Sequence, residues 1–281
     1  MKYAMMRAHE GAFTVRLMCR MLSVSPSGYY AWRDRRPSAR ARVRAALDTR
    51  VRDAFEAKRA RAGAPRLAKH LGKGRRQVAG SLRRQGLRAK AAKKFKATTN
   101  SNHSLPVAEN LLQQNFTAPS PNHTWVADIT YIPTDEGGLY LAVVLDLYSR
   151  KVVGWSMSAR MTATLVCDAL RMALFARKMP CGVIMHTDRG SQYCSREHRK
   201  LLDEHGLVAS MSARGNCYDN AAMESWNHSL KVEAIHGERF ATREVAIAHV
   251  FEYIEVDYNR TRLHSTLGYL SPEQFELARA A

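Results

Sequence analysis

No run of eighteen apolar residues occurs in this 281-residue chain, so no membrane-crossing helix is predicted. The opening Met1-Lys2-Tyr3-Ala4-Met5-Met6-Arg7 lacks the long apolar segment of a secretory leader. Cysteine is sparse: Cys19, Cys167, Cys181, Cys194 and Cys217 are odd in number, scattered, and form no Cys-x-x-Cys pair. That pattern argues against a disulfide framework and a structural zinc site, and fits reduced thiols in a cytoplasmic protein. No internal repeat, long low-complexity tract or sustained heptad zipper is present.

Acid is scarce in the first part of the chain. Residues 1–121 hold 27 Lys+Arg against 6 Asp+Glu, a net of +21, whereas residues 122–281 hold 17 against 19, a net of −2. A charge so large on one part points to a nucleic-acid-binding arm on a near-neutral core. The competing explanation is a solvated basic face that keeps the protein soluble.

The arm reads as helices. Residues 12–33 carry Phe13, Leu17, Met18, Met21 and Leu22 at helical spacing, then Ser23–Gly28 as a break with Pro26 placed to start the next helix. A helix-turn-helix and a simple packing hairpin fit this stretch equally. Val43, Leu47, Val51 and Phe55 recur every four residues and predict an amphipathic helix over 37–60. Residues 65–90 form a second helix-turn-helix candidate: Leu67 and Leu71, the turn Gly72-Lys73-Gly74, then a helix with Val78 and Leu82 inward. Arg75, Arg76, Arg83 and Arg84 are then expected to face phosphates. Residues 88–104 read as a basic linker.

Beyond it, strands are predicted at Trp125–Ile132, Leu139–Leu147 and Lys151–Met157. A helix over Thr162–Arg177, a short strand Gly182–His186, a helix Arg196–His205 and a strand Val208–Ser212 follow, then helices Asp219–Ile235 and Thr242–Tyr258. That order is what a ribonuclease-H-like α/β core requires: a mixed five-stranded sheet with flanking helices, preceded by a basic all-α helix-turn-helix region.

Three carboxylates stand out: Asp128 in Val126-Ala127-Asp128-Ile129, Asp188 in His186-Thr187-Asp188-Arg189-Gly190, and Glu224 in Asn220-Ala221-Ala222-Met223-Glu224-Ser225-Trp226. Two interrupt or end strand-like runs and one sits on a helix, an arrangement that suits two-metal phosphoryl transfer. Mg²⁺ prefers such hard oxygen ligands. Glu224 taken without its neighbours reads as an ordinary helix-surface glutamate. Asp146, ending a strand before Tyr148-Ser149, is assigned to a turn. Glu224, Asn227, His228 and Lys231 share one helix face.

With these words, the stretch Ser101–Ala108 leading into Thr124-Trp125, and Tyr258–Pro272, the chain resembles the second-frame (OrfB-type) transposases of the insertion-sequence-3 family, related to retroviral integrases. The resemblance implies three regions: a small helical segment 1–36, a basic helix-turn-helix DNA-binding region and linker 37–100, and a catalytic core with C-terminal helices 118–281. It implies Asp128, Asp188 and Glu224 as catalytic ligands of two Mg²⁺ ions, which Mn²⁺ can replace. Lys231 becomes an expected DNA contact near the cleaved phosphate; Asn227, on the same helix face, and Gln192, which can cap a helix or touch the DNA backbone, are further expected DNA contacts. The expected activity is binding of terminal inverted repeats, single-strand cleavage and strand transfer into target DNA, through an excised circular intermediate. Expected partners are double-stranded DNA, further copies of the chain on that DNA, and a first-frame protein of the same element, as a separate chain or a frameshift fusion. A cytoplasmic, nucleoid-associated protein follows. A purely hydrolytic nuclease of the same fold and a DNA-binding repressor of transposition are the competing readings.

Overall fold

The computed structural model describes residues 1–90, 105–213 and 217–280. From residue 91 the predicted linker lies outside them, as do the first residues of the Ser101–Ala108 word and the centre of the loop before Asn220.

Three short helices open the chain: α1 (Lys2–Ala8), α2 (Val15–Leu22) and α3 (Pro26–Arg33). The side chains of Thr14 and Ser25 accept the first free N–H groups of α2 and α3, which is why the chain turns where Ser and Pro stand. Met6, Met18, Cys19 and Tyr29 form their small core. Helix α1 was not predicted: its one buried residue, Met6, leaves no periodic signal.

Helices α4 (Ala39–Ala57), α5 (Ala64–Leu71) and α6 (Arg75–Arg84) make the arm. They close on Val51, Phe55, Leu67, Val78 and Leu82. Gly72, at φ 61°, takes the left-handed conformation that ends α5.

The core sheet contains β1 (Thr124–Thr134), β2 (Gly137–Asp146), β3 (Val152–Ser158), β4 (Ile184–Thr187) and β5 (Val208–Met211), in the order β3-β2-β1-β4-β5. The first three pair antiparallel, and β4 adds parallel to β1 and β5 parallel to β4. Parallel neighbours need crossovers, supplied here by α7 (Ala163–Ala176) and α8 (Arg196–Glu204). Side-chain alternation sends Trp125, Ala127 and Ile129 to the face covered by α7 and α8. Val126 and Ile132 go to the other face, against Met223, Trp226 and Leu230 of α9 (Ala221–Leu230). This is the ribonuclease-H-like mixed sheet the sequence predicted, preceded by an all-helical basic region.

The C-terminal helices depart from the prediction. A 3₁₀ turn (Cys217–Asn220) precedes α9, and a π-helical turn (Lys231–Ile235) follows it. Helix α10 (Arg243–Phe251) runs into a second π-helical segment (Glu252–Thr261), and α11 (Pro272–Ala280) ends the described chain. The Asn220 side chain makes no cap bond at the start of α9. Asp219 accepts from the Ala213 N–H and the Asn110 amide, tying the preceding loop down.

Candidate active site

Strands β1 and β4 run parallel with Ala127 opposite Thr187. The next residue on each chain is an aspartate, so Asp128 and Asp188 emerge side by side at one end of this seam. Asp128 shares its sheet face with Val126, towards α9. Its Oδ2 accepts the Asn227 amide at 2.7 Å, and its Oδ1 accepts the Ile129 N–H at 2.8 Å. Asp188 Oδ1 accepts the Gly190 N–H at 2.9 Å. A Cβ on Gly190 would lie 3.0 Å from that oxygen, so any other residue here would have to push the Asp188 carboxylate aside. Burial, and then the negative charge of Asp188, push the Asp128 carboxyl up to about 7.

Glu224 lies exposed on α9, one turn before Asn227. Among the described residues no group of three or more His, Cys, Asp or Glu side chains is close enough to hold a metal ion. The fold thus brings two of the three acids together and puts the third on the adjoining helix. Lys231 is half-buried one turn beyond Asn227; burial lowers its ammonium pKa, and the charge of Asp128 acts in the opposite direction.

The remaining expected contacts divide. Arg75, Arg76 and Arg83 are exposed on α6. Arg84, about 100° further round the helix than Arg83, turns back to Asp48 of α4 instead, Nη2 to Oδ1 at 2.5 Å. Gln192 is half-buried with its amide on the Met161 carbonyl at 3.2 Å. Asn227 is engaged with Asp128 itself. Asp146 is fully buried at the start of the seam, opposite Trp125, where it accepts from the Asn122 and Tyr148 N–H groups and pairs with Arg177. It is a structural acid, in keeping with its assignment to a turn.

Sequence reasoning gave Tyr193 no role. Its ring is buried, its hydroxyl has no hydrogen-bond partner among the described residues, and burial plus the charges of Asp128 and Asp188 raise its pKa well above that of an ordinary tyrosine. The only signal was an aromatic three residues after Gly190. Two adjacent carboxylates beside a partnerless buried hydroxyl make an all-oxygen donor set, which fits a hard divalent cation.

The integrase core domain profile matches residues 118–217, and a second integrase core domain profile matches residues 224–279. The chain is 56% identical to the transposase InsF for insertion sequence IS3A of Escherichia coli (strain K12), covering 98% of each chain. It is 46% identical to the insertion element IS600 uncharacterized 31 kDa protein of Shigella sonnei, over 92% of this chain and 97% of that one. Among solved structures, the simian T-cell lymphotropic virus intasome in complex with PP2A regulatory subunit B56 gamma aligns at TM-score 0.46 and 16% identity, covering 76% of this chain and 70% of that one. The HTLV-2 integrase catalytic core domain in complex with magnesium aligns at TM-score 0.42 and 16% identity, covering 57% of this chain and 99% of that one. With near-complete coverage of its curated relative and an integrase core across its carboxylate-bearing sheet, the chain belongs to the IS3 family of transposases.

Proposed function

We propose that this transposase binds the terminal inverted repeats of its element and performs single-strand cleavage and strand transfer, using Asp128, Asp188 and Glu224 around two divalent ions, Mg²⁺ or in its place Mn²⁺. The observation that carries this reading is the pairing of Asp128 with Asp188 at one end of the β1–β4 seam. Like charges held this close in a buried site favour a cation between them. Bound there, two such ions activate the attacking oxygen and stabilise the leaving oxygen.

The chain's own groups prepare the site. The Asn227 amide fixes the Asp128 carboxylate, and the Gly190 N–H fixes that of Asp188. Glu224 shares a helix face with Asn227, whose amide reaches Asp128, which supports its role as the third ligand. Lys231 continues that face and is suited to a phosphate on the DNA strand. The acids supply no nucleophile for a protein–DNA bond. Water therefore attacks the first phosphodiester and the freed 3′-hydroxyl attacks the second, each displacing one strand oxygen. Exposed Arg75, Arg76 and Arg83 supply phosphate contacts from the arm. Further copies of the chain, and a first-frame protein of the element, fit as partners on DNA. No helix among the described residues is long and apolar enough to cross a membrane.

Asp128→Asn, Asp188→Asn and Glu224→Gln test the reading. Each keeps the side-chain shape and removes a ligand charge. Each is expected to abolish cleavage and joining of end-bearing DNA while end binding stays within about twofold. Wild-type activity is expected in Mg²⁺ or Mn²⁺ and absent in Ca²⁺ alone, whose looser coordination does not meet the geometry this chemistry needs. Robust joining by any one variant removes that residue from the catalytic set.

A further inference from the structure

A cavity of about 710 Å³ lies behind α9, and neither Asp128 nor Asp188 lines it. Its walls come from the arm (Arg61, Arg66, Lys90), from α9 (Ala222, Ser225, Trp226) and from the segment after the second π-helix (Arg262, Leu263, His264). Such a volume falls within the range of ordinary ligand sites, roughly 300–1,000 Å³.

The charge lining it does not balance. Five cations face the cavity, Arg61, Arg66, Lys90, Arg150 and Arg262, against one carboxylate, Glu233. Glu233 is already shared, accepting from Arg66 at 2.9 Å and from Arg262 twice at 2.9 Å. Arg61 pairs with Asp257 and Lys90 with Glu238. Arg150 donates to the Phe116 carbonyl at 3.1 Å, and no carboxylate pairs with it among the described residues. It is half-buried in the turn between β2 and β3, with φ at 59°, a conformation a non-glycine residue holds only where its surroundings impose it. Burial lowers its pKa. Positive charge from Arg262, Arg66 and Arg150 converges on His264, which burial and those three guanidiniums together hold at about 3. The cavity therefore presents clustered guanidinium groups with too little carboxylate to match them.

Guanidinium clusters select phosphate, which they can grip through two parallel N–H donors. The wall adds apolar rings, Phe116 and Tyr269, against which a base can lie, and Trp226, whose buried indole N–H has no partner among the described residues. Position supplies the source. Asn227 of α9 bonds Asp128 while Ser225 of the same helix lines the cavity, so a strand at the active site reaches it by rounding one edge of the helix. A duplex is too wide for the cavity, whereas one unstacked nucleotide fits.

We propose that this cavity binds one nucleotide of single-stranded DNA, its phosphodiester held by Arg150 with Arg66 and Arg262, and its base against Phe116 and Tyr269. The assignment rests on the DNA-cleaving reading above. Because arm and core both line the site, an occupied cavity joins the two.

The full chain is titrated with a labelled thymidine trinucleotide, read by fluorescence anisotropy at fixed salt. Arg150→Gln is expected to weaken binding at least tenfold and Arg150→Lys less. Ser225→Phe, an exposed helix position in which only the mouth is filled, is expected to weaken it similarly, while duplex end binding by both stays within twofold. Trinucleotide affinity unchanged from wild type in Ser225→Phe and in folded Arg150→Gln overturns the proposal. Thymidine monophosphate is expected to displace the trinucleotide far better than inorganic phosphate; equal displacement overturns the nucleotide assignment and leaves a plain anion site. Asp128→Asn is expected to keep full trinucleotide affinity, so loss of the cleavage reading and loss of this one are seen separately.

Discussion

At the residue scale the site depends on side chains that do no chemistry themselves. The Asn227 amide donates to Asp128 at 2.7 Å. Groups that orient metal-binding carboxylates typically matter 10- to 100-fold, so Asn227→Ala is expected to lower strand transfer by about that factor with DNA binding unchanged. A joining assay at matched occupancy checks it, and wild-type rates would remove Asn227 from this role. Gly154 matters to stability instead. A Cβ there would sit 2.2 Å from the Ala169 carbonyl oxygen and 2.6 Å from the Ala173 nitrogen, because β3 packs directly on the α7 backbone. Backbone cannot swing aside as a long side chain can. Gly154→Ala is therefore expected to cost about 3 kcal/mol, read as a lowered denaturant midpoint at unchanged slope. Asp128 and Asp188 were legible from their flanking words. The partnership of Asn227 with Asp128 was not, because the spacing put it on the Glu224 face but could not say which strand that face meets. Tyr193 was missed for a similar reason: one aromatic after a turn signals burial and not proximity to two acids.

At the element scale the arm shows what its arginines do separately. Arg75, Arg76 and Arg83 point to solvent, while Arg84 closes on Asp48, which also accepts the buried Ser81 hydroxyl at 2.6 Å. Removing Arg75, Arg76 and Arg83 together is expected to lower the slope of log binding constant against log salt by roughly 0.9 for each phosphate no longer neutralised. Arg84→Ala is expected to leave that slope nearly unchanged and to lower the melting temperature of the chain instead. Salt-titrated binding and thermal unfolding of both variants separate the two effects. The reverse pattern would mean that α6 presents a different face to DNA. Helix periodicity and the Gly72-Lys73-Gly74 turn made α4 to α6 readable, and strand alternation did the same for the sheet. The π-helical segments were not readable, because a widened turn leaves the apolar spacing of an ordinary helix nearly intact. Glu233 and Tyr253, one on each segment, meet in a single buried network with Arg66 and Arg262, a long-range contact that local spacing does not signal.

At the scale of the whole molecule, arm and core are fastened by charge. Arg59 pairs with Glu252, Arg61 with Asp257, Arg66 with Glu233 and Lys90 with Glu238. The fold also hides imidazoles. Burial holds His186 and His198 at about 4, and burial with neighbouring arginines holds His264 at about 3, against an ordinary value of 6.5. A folded-state value below the unfolded one means that the unfolded chain takes up protons first. Stability is then full above pH 6.5 and falls as pH drops towards 4, by on the order of 2 kcal/mol for each imidazole. Asp128 works the other way, since its raised carboxyl favours the fold at low pH and gives that up as pH rises through 7. The fall is therefore cleanest in Asp128→Asn, where urea midpoints at pH 7 and pH 4.5 are expected to differ clearly. Equal midpoints would mean that these imidazoles are more open to water than their packing shows.

The arm's separate apolar centre has a consequence in time. Val51, Phe55, Leu67, Val78 and Leu82 are all present once synthesis has passed residue 90, whereas the carboxylate set is incomplete until residue 224. At roughly 5–20 residues per second the ribosome needs on the order of ten seconds to cover that stretch. On the proposed function, each new chain would spend that interval with a finished grip and an unfinished blade, able to settle on DNA while still tethered to its own message before it could cut.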